Sequence, residues 1–482
     1  MLGVRNNLLT YSQLITTKTN FLMGKIKNKI LEKQTAEDSI DKLFHLSAIQ
    51  NKNVELSYTG KDISSDGGLL LLKELENQIG IISGLSNCIN DERDQRYIDH
   101  SLEQLLSQRI YQIAAGYEDA NDCDELRGDS IFKICSDKLP ISGDELASQP
   151  TMSRFENSVS RSELYRIAEH FGLCFINSYE SEPEVIIIDC DDTNNNAYGN
   201  QLQIEYNHYY REYCFMPLHI YEGLSGKLIT TILKPGRRSK ATDVFSILKR
   251  VISFIRKHWC QTRIIIRGDS HFCSHEFMDW TKSQYKVNFI TGLTGNQKLH
   301  KLSKITKESA EKLYAVEKKP VKKYHTFSYK AGTWAEEQRV VVKVEVNSMG
   351  TNIRYIVTSM WDYRTSHLYE IGYCARGNAE LRIKEHKTYL KSDRTSCHKF
   401  EANQLRLFLH SAAYVLIHTL QKDVLKHTQF VNSTMKTIQL KLLKTAAYVR
   451  ELKTKIKIEF PVNYAYKIQQ SKCFEIFSVL LC

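Results

Sequence analysis

Two runs of β-branched residues, each ending in aspartate, constrain the fold of this chain more than any other feature. Residues 185–193 read VIIIDCDDT, and residues 263–269 read RIIIRGD. Continuous Val/Ile runs of this length are typical of strands that are buried on both faces. An amphipathic pattern over residues 240–258 lies between them and predicts a helix. This alternation predicts a mixed α/β fold in which helices pack against a central sheet.

Neighbouring segments extend that prediction. EYCFMPLHIYEG (212–223), KLITTILKPG (227–236) and VNFITGL (287–293) each predict a strand, and SHEFMDWTKSQYK (274–286) predicts a helix. Residues 295–365 then interrupt the pattern with a Lys-rich, weakly patterned stretch followed by two alternating strands. We therefore expect a β-rich insertion with its own small sheet.

The helical pattern before the first strand predicts a helical N-terminal domain, which is a candidate for binding a DNA end. Its SQPTMSRFENSVSRSEL stretch, residues 148–164, predicts two helices with a break near Ser160, a pattern shared by helix-turn-helix DNA-binding motifs. The expected organisation is an N-terminal arm (1–54), a helical domain (55–180), a catalytic core in two parts (181–294 and 366–420) around the β-rich insertion (295–365), and a basic C-terminal region (421–482).

Charge and cysteine usage narrow the function classes. The 482 residues carry a formal net charge of +11, and residues 421–482 hold 11 Lys and Arg against 4 Asp and Glu, which fits either a surface that meets nucleic acid or a solvated basic region. The twelve cysteines form no C-x-x-C pair, and His271, Cys273 and His275 lack a matching second cluster, so a structural zinc site is not expected. Unpaired cysteines are typical of a reducing, intracellular setting. No apolar run reaches the length of a membrane span.

Three carboxylates are candidates for a metal site. Asp191 and Asp269 follow the two β-branched runs, at strand ends where α/β sheets bind ligands, and Glu380 lies in a later helical stretch. Phosphodiester cleavage can use two Mg²⁺ ions held by two or three such carboxylates. Taken alone, each aspartate also fits a turn or helix cap, and Glu380 also fits an ion pair with Arg376 or Lys384.

The stretch YCARGNAELRIKEHK, residues 373–387, places basic groups around Glu380. On a regular α-helix, Tyr373, Arg376, Glu380 and Lys387 would lie within about 60° of one another. A carboxylate flanked by a guanidinium, an ammonium and a phenol suits a metal beside a phosphodiester. The basic turn KPGRRSK, residues 234–240, precedes a helix and fits either a phosphate site or an exposed loop.

These motifs together resemble the DDE transposases of bacterial insertion sequences, in the group with a Tyr-(2)-Arg-(3)-Glu-(6)-Lys signature. The resemblance is carried by the spacing within residues 373–387, by IDCDDT and RGDSHF, and by several supporting stretches. It covers roughly residues 55–470. The supporting stretches are GYEDANDCDELR (116–127), LASQPTMSRFEN (146–157), MPLHIYEGLSGKL (216–228) and DRTSCHKFEANQLRLFLHSAAYVL (393–416).

The resemblance implies an RNase H-like mixed sheet flanked by helices, two Mg²⁺ or Mn²⁺ ions, and cut-and-paste movement of DNA. Carried over by position, Asp191, Asp269 and Glu380 would bind the metal and act in catalysis. The family's Asp-x-Thr element selects Asp191 with Thr193, and Asp189 is the reserve candidate. Because Asp192 has the opposite strand parity, we expect it on the other face of the sheet.

The same resemblance implies that Tyr373, Arg376 and Lys387 contact the transposon-end DNA, and that the β-rich insertion helps to hold it. It further implies a homodimer on double-stranded DNA, acting on terminal inverted repeats and target DNA in the bacterial cytoplasm at the nucleoid. Two alternatives stay open at this point. One is an RNase H-fold nuclease without strand transfer, and the other is a DNA-binding protein derived from a transposase whose catalytic site has decayed.

Overall fold

The computed structural model describes residues 43–237 and 241–480. Most of the predicted N-terminal arm and three residues of the basic turn 234–240 therefore lie outside the described residues. The chain divides into two compact units, Met1–Asp62 and Ile63–Cys482. In the first unit, strands β1 (Phe44–Ile49) and β2 (Lys52–Leu56) form an antiparallel hairpin.

The second unit carries fourteen further strands within the described ranges. They are β3 (Ile63–Ser64), β4 (Val185–Asp192), β5 (Asn195–Asn196), β6 (Glu205–Asn207), β7 (Glu212–Phe215), β8 (Leu218–Glu222), β9 (Leu228–Ile232), β10 (Arg263–Gly268), β11 (Val287–Leu293), β12 (Val321–Tyr329), β13 (Gln338–Asn347), β14 (Gly350–Thr358), β15 (Ala447–Leu452) and β16 (Lys455–Glu459).

Its α-helices lie before, between and after these strands. They are α1 (Leu70–Ile79), α2 (Ile81–Asn87), α3 (Leu102–Ala115), α4 (Asp122–Leu126), α5 (Ser130–Cys135), α6 (Gln149–Glu156), α7 (Arg161–Asn177), α8 (Ala241–His258), α9 (His275–Ser283), α10 (Gln297–Leu302), α11 (Lys304–Glu317), α12 (Thr365–His367), α13 (Gly377–Lys384), α14 (Phe400–Thr419), α15 (Met435–Ile438) and α16 (Lys467–Leu480).

An eight-stranded mixed sheet forms the centre of this unit, with strand order β12-β13-β14-β11-β10-β4-β8-β9. Strands β4, β10 and β11 are parallel neighbours, and the other pairs are antiparallel. Alternate residues of β4 and β10, such as Ile186, Ile188 and Ile264, are fully buried in the core formed with α8 and α9. The predicted α/β layer, with its buried strands and amphipathic helix α8, is confirmed.

The expectation of a separate small sheet in residues 295–365 is wrong. Strand β14 pairs antiparallel with β11, with Ile290 opposite Thr358, and β13 and β12 follow it outward. The three strands therefore extend the central sheet, because the outer edge of β11 offers unpaired backbone groups that β14 satisfies. The Lys-rich stretch before them forms helices α10 and α11.

The strand predicted over residues 212–223 is two strands in different sheets. Strand β7 belongs to a three-stranded sheet of order β5-β7-β6, whereas β8 pairs with β4 in the central sheet. Met216 and Pro217 separate them. Proline has no backbone N–H to donate to a ladder, so the break falls at a residue that cannot continue the pairing.

The predicted helical region before the sheet packs with the helices that follow it. Helices α1–α7 share one hydrophobic core with α14, where the rings of Phe171 and Phe408 stack with centroids 5.4 Å apart. Ser160 is the N-cap of helix α7 and forms a capping box in which Ser160 and Glu163 satisfy each other's backbone N–H groups. Within the described ranges, no helix has both the length and the apolar character needed to cross a membrane.

Candidate active site

Asp191 and Asp269 are positioned by neighbouring parallel strands. The last register pair between β4 and β10 joins Asp189 to Arg267, and the two aspartates each come two residues later. Both therefore lie at the carboxyl edge of the sheet, Asp191 within β4 and Asp269 immediately after β10. Side chains two residues apart on a strand point to the same face, so the strands bring the two carboxylates to one edge.

The stretch that carries Glu380 is helical but is not the single regular α-helix that the spacing predicts. After α12, a π-helix (Leu368–Tyr373) leads into a 3₁₀ turn (Cys374–Arg376), then α13, then a second π-helix (Glu385–Tyr389). The assumed 100° per residue is therefore wrong over residues 373–387, because π turns are wider and 3₁₀ turns tighter than α turns. The side chains nevertheless reach a common region near the ends of β4 and β10.

Arg376 joins Asp191 to Glu380. Its Nη1 lies 3.1 Å from Asp191 Oδ2, and its Nη2 lies 3.3 Å from Glu380 Oε1. Because both carboxylates contact one rigid guanidinium, they lie within about 9 Å of each other. Glu380 is 62% exposed, whereas Asp191 and Arg376 are mostly buried.

Asp269 is held by the turn that follows β10. Its carboxylate accepts hydrogen bonds from the backbone N–H of His271 at 2.8 Å and contacts His271 Nδ1 at 2.8 Å. The Tyr373 hydroxyl lies close to the backbone of this turn over Gly292 of β11. A Cβ at Gly292 would come within 2.9 Å of both Tyr373 Oη and Ser270 N, so this approach requires glycine.

Lys387 contacts the residues that follow Asp191. Its ammonium group donates to the Asn194 side-chain oxygen at 3.1 Å and to Thr193 Oγ1 at 3.4 Å, and it also contacts the Asn194 carbonyl oxygen. The four residues of the spacing pattern thus surround the two strand ends: Tyr373 lies beside the turn after β10, Arg376 and Glu380 lie at Asp191, and Lys387 lies beyond it.

Burial and neighbouring charges raise the pKa of Asp191 to about 6. Loss of hydration is the largest cause, and the negative charges of Asp269, Asp192 and Glu380 add to it. The positive charge of Arg376 acts in the opposite direction. The charges of Asp269 and Glu380 thus both act on Asp191, which fits the placement of the two carboxylates near it.

The two other aspartates of the first motif have ion-pair partners of their own. Asp189 is fully buried and accepts two hydrogen bonds from Arg267, at 2.6 and 2.7 Å. Asp192 lies 2.6 Å from the ammonium group of Lys234. Asp191 has a longer ion pair, at 3.1 Å to Arg376, and its second oxygen accepts the backbone N–H of Asp192 at 3.0 Å.

The donor chemistry of the site suits a hard divalent cation. Carboxylate oxygens are the ligands that Mg²⁺ prefers, and it needs only two or three of them. Across residues 43–237 and 241–480, however, no three acidic, histidine or cysteine side chains form a ready-made metal cluster. At this edge of the sheet the Arg376 guanidinium lies between Asp191 and Glu380, so the carboxylates meet through a cation of the protein itself.

Several contacts around the site were not predicted from the sequence. His271 binds Asp269, Lys234 pairs with Asp192, and Asn194 receives Lys387. Both His271 and Asn194 lie within three residues of a candidate aspartate, so their position in the sequence could have identified them as neighbours of the site. Lys234 is remote in sequence and is brought near by strand β9.

Comparison with known proteins identifies the family. The family model described as "Transposase DDE domain group 1" matches residues 46–480. No curated protein sequence matches the chain. Among solved structures, the chain is similar to a piggyBac transposase in a cryo-EM synaptic complex with hairpin DNA, with 13% identity and a TM-score of 0.42, over 80% of this chain and 83% of that one. That likeness is too distant to support an argument, but the family match spans most of the sequence, and the chain therefore belongs to the DDE transposase family.

Proposed function

We propose that this protein is an insertion-sequence transposase that cuts DNA at transposon ends and joins the freed 3′ ends to target DNA. The observation that carries the proposal is the convergence of Asp191 and Glu380 on Arg376, beside the strand end that holds Asp269. Family membership supports a transposition enzyme. We further propose an RNase H-like core for the part of the sheet that carries these residues.

In this proposal, Asp191, Asp269 and Glu380 hold two Mg²⁺ or Mn²⁺ ions. When bound, such ions supply activation of the attacking oxygen and stabilisation of the leaving oxygen. Arg376 and Lys387 neutralise phosphate charge and fix the register of the DNA, and Tyr373 contacts the strand near Asp269. Release of Arg376 from the carboxylates to a phosphate would exchange one anionic partner for another.

The partner is double-stranded DNA, as terminal inverted repeats and as target, and two copies of the chain act together on paired ends. The helical region 55–180 and the β-rich insertion 295–365 are proposed to hold the transposon end, with the basic segment 421–482 as a further contact surface. The cytoplasm of a bacterial cell, at the nucleoid, is the proposed location.

The decisive experiment incubates purified protein and Mg²⁺ with a duplex that carries the terminal repeats of its element. Wild-type protein is expected to nick the end, whereas Asp269→Asn and Glu380→Gln bind the duplex without cutting it. Glu276→Gln is a matched control, because this partly exposed carboxylate lies seven residues after Asp269 and pairs with His275. Cutting at the wild-type rate by Glu380→Gln would remove this assignment.

A second candidate function is DNA binding by a protein whose catalytic site has decayed. The favouring observation is that Arg376 lies between Asp191 and Glu380, where a ready-made carboxylate cluster would be expected. Equal DNA binding with and without divalent metal, together with no cleavage, would select it. A joining assay separates both from a nuclease, since only a transposase links the 3′ end to new DNA.

A further inference from the structure

Four exposed tyrosines lie in the segment that follows Asp191, between residues 198 and 213, and take no part in the proposed function. Tyr209 is 85% exposed and Tyr198 79%, and Tyr213 and Tyr206 are also exposed. We call these four residues the tyrosine patch. Three of them lie on the β6–β7 hairpin, and Tyr198 lies in the loop after β5. Exposed aromatic rings gathered in so short a segment are typical of binding surfaces.

The hairpin that presents the patch is held in one conformation. Asn207 at its turn is buried, and its side-chain amide donates to the Gly236 carbonyl at 2.8 Å. Its side-chain oxygen accepts the backbone N–H groups of Tyr209 and Tyr210, at 3.0 and 3.2 Å. A turn fixed in this way presents its rings without the entropy loss of ordering a loop on binding.

One member of the patch, Tyr198, lines a cavity together with Asn194 and Lys387, beside the residues that follow Asp191. Strand β5 begins only four residues after Asp191 in the sequence, and Asn194 between them binds Lys387. The negative charges of Asp191 and Asp192 help to raise the pKa of Tyr210, although burial is the largest cause. A phosphodiester held at Asp191 would therefore place adjacent nucleotides near the hairpin.

The ring geometry favours stacking on flat ligands. Tyr209 and Tyr210 meet edge to face at 89°, with centroids 4.9 Å apart, so the half-buried Tyr210 supports Tyr209 through an edge contact. Tyr206 and Tyr213 also meet edge to face, at 68°. Arg211 and His208 are exposed in the same turn, which suits a polyanionic chain.

We propose that the tyrosine patch stacks against unpaired nucleobases of the DNA strand next to the scissile phosphate. This inference rests on the proposed function, which places DNA at Asp191. It adds a base-binding surface to a site proposed to bind phosphate and metal. Stacking is tolerant of sequence because every base has a π face. The patch thereby favours DNA that is opened near the cut.

The test compares two single-stranded probes in the absence of divalent metal: a thymidine oligonucleotide of about 20 nucleotides, longer than the usual site of one binding fold, and an abasic oligonucleotide with the same number of phosphates. Fluorescence anisotropy reports the affinity for each. Wild-type protein is expected to bind the thymidine probe about tenfold more tightly, because only that probe can stack. Tyr209→Ala should remove most of this preference, and Tyr209→Phe should keep it.

Tyr285→Ala is the matched control. Tyr285 is 60% exposed, but it lies before β11, at the opposite end of the parallel strands from Asp191. This variant is expected to keep the wild-type preference. Equal affinity of wild-type protein for the two probes, or an unchanged preference in Tyr209→Ala, would overturn the proposal.

A second measurement distinguishes nucleobases from a protein partner. Sedimentation velocity without DNA is expected to give the same oligomeric state for wild type and Tyr209→Ala. A change of oligomeric state, with the probe preference intact, would assign the patch to contact with a second copy of this chain and overturn the proposal. Because neither measurement uses cleavage, failure of the proposed catalytic function would show separately, as loss of nicking by wild-type protein.

Discussion

Two carboxylate–guanidinium pairs, two residues apart on strand β4, differ in almost every physical respect. Asp189 and Arg267 form a bidentate pair at 2.6 and 2.7 Å, with each side chain only 1% exposed. Asp191 and Arg376 share one contact of 3.1 Å, and Arg376 divides its donors between Asp191 and the exposed Glu380. We call the Asp189–Arg267 pair closed, because both side chains are buried, and the Asp191–Arg376 pair open, because Arg376 also contacts the exposed Glu380.

The difference follows from depth along the strand. Asp189 lies between β10 and β8, with backbone and side chains on all sides, and Arg267 also donates to the Gly372 carbonyl at 2.8 Å. Asp191 lies where the sheet ends, so part of its coordination capacity stays available. The same residue type is therefore enclosed in the fold at one position and lies at the edge of the sheet two residues later.

The largest expected effect contrasts these two aspartates directly. Asp191→Asn should lower cleavage of terminal-repeat DNA by at least about a thousandfold, because it removes a proposed metal ligand, and should leave the urea midpoint of unfolding nearly unchanged. Asp189→Asn should instead lower the midpoint, because it leaves the buried Arg267 charge uncompensated. Nicking assays and urea titrations on both variants check the contrast. Equal loss of stability in the two variants would remove the distinction between closed and open pairs.

The guanidinium partners give the next test. Arg267→Ala leaves a buried, unpaired Asp189 and should lower the free energy of unfolding by about 3–5 kcal/mol. Arg376→Ala should lower it by less than Arg267→Ala does, because Arg376 holds Asp191 through a single contact of 3.1 Å and its other partner, Glu380, is 62% exposed. Chemical denaturation followed by circular dichroism measures both. A larger effect for Arg376→Ala than for Arg267→Ala would reverse the comparison.

Buried imidazoles extend the comparison to pH. Burial lowers the pKa of His418 from 6.5 to about 3, so its side chain stays neutral in the fold while the unfolded chain takes up a proton below about pH 6.5. The unfolded state then binds more protons, and stability falls as pH drops from 6.5 towards 3. When the pH is lowered from 6.5 to 5, the unfolding free energy of wild type should therefore fall by about 2 kcal/mol more than that of His418→Leu.

Denaturation midpoints at several pH values in this range provide that measurement. His271→Leu is the control, because this histidine is 48% exposed beside Asp269 at the open edge. If the pH slopes of wild type and His418→Leu coincide, the buried imidazole is not the source of the acid sensitivity.

The smallest effect concerns the fork of Arg376. Arg376→Lys keeps the positive charge but cannot hold two partners in a planar bidentate arrangement, so cleavage should fall by about tenfold while stability stays within about 0.5 kcal/mol. Single-turnover nicking rates and urea midpoints test this. A wild-type rate in the lysine variant would show that charge alone, without the fork geometry, is sufficient.

Much of the central sheet could be predicted because its signals are local. The β-branched run that ends at Asp189 predicts a strand by itself, and the helical period of α8 predicts a helix by itself. The joining of residues 338–358 to the sheet could not be predicted in the same way, because their alternation fits any half-buried strand. Only the free edge of β11 decides that β14 pairs there. The break at Pro217, by contrast, could have been predicted from the sequence, because proline cannot donate to a strand ladder.

The candidate site shows the same division. The spacing of Tyr373, Arg376, Glu380 and Lys387 indicated residues that gather near Asp191 and Asp269, although the regular helix assumed for them is wrong. Gly372, in the first π turn, accepts a hydrogen bond from Arg267, and no local pattern contains a contact between residues so far apart in the sequence. The roles of these residues in metal and DNA binding remain predictions.

The π turns on either side of α13 have a consequence for how this protein can change over evolution. A π turn accommodates one residue more than an α turn, so a single-residue deletion there can be absorbed by converting it to a regular turn. Such a deletion before Tyr373 would leave the spacing from Tyr373 to Lys387 untouched, whereas one within Glu385–Tyr389 that precedes Lys387 would shift that lysine relative to Glu380. The first turn can thus absorb length variation in the connecting segments, and the second ties chain length to the position of Lys387 relative to Glu380.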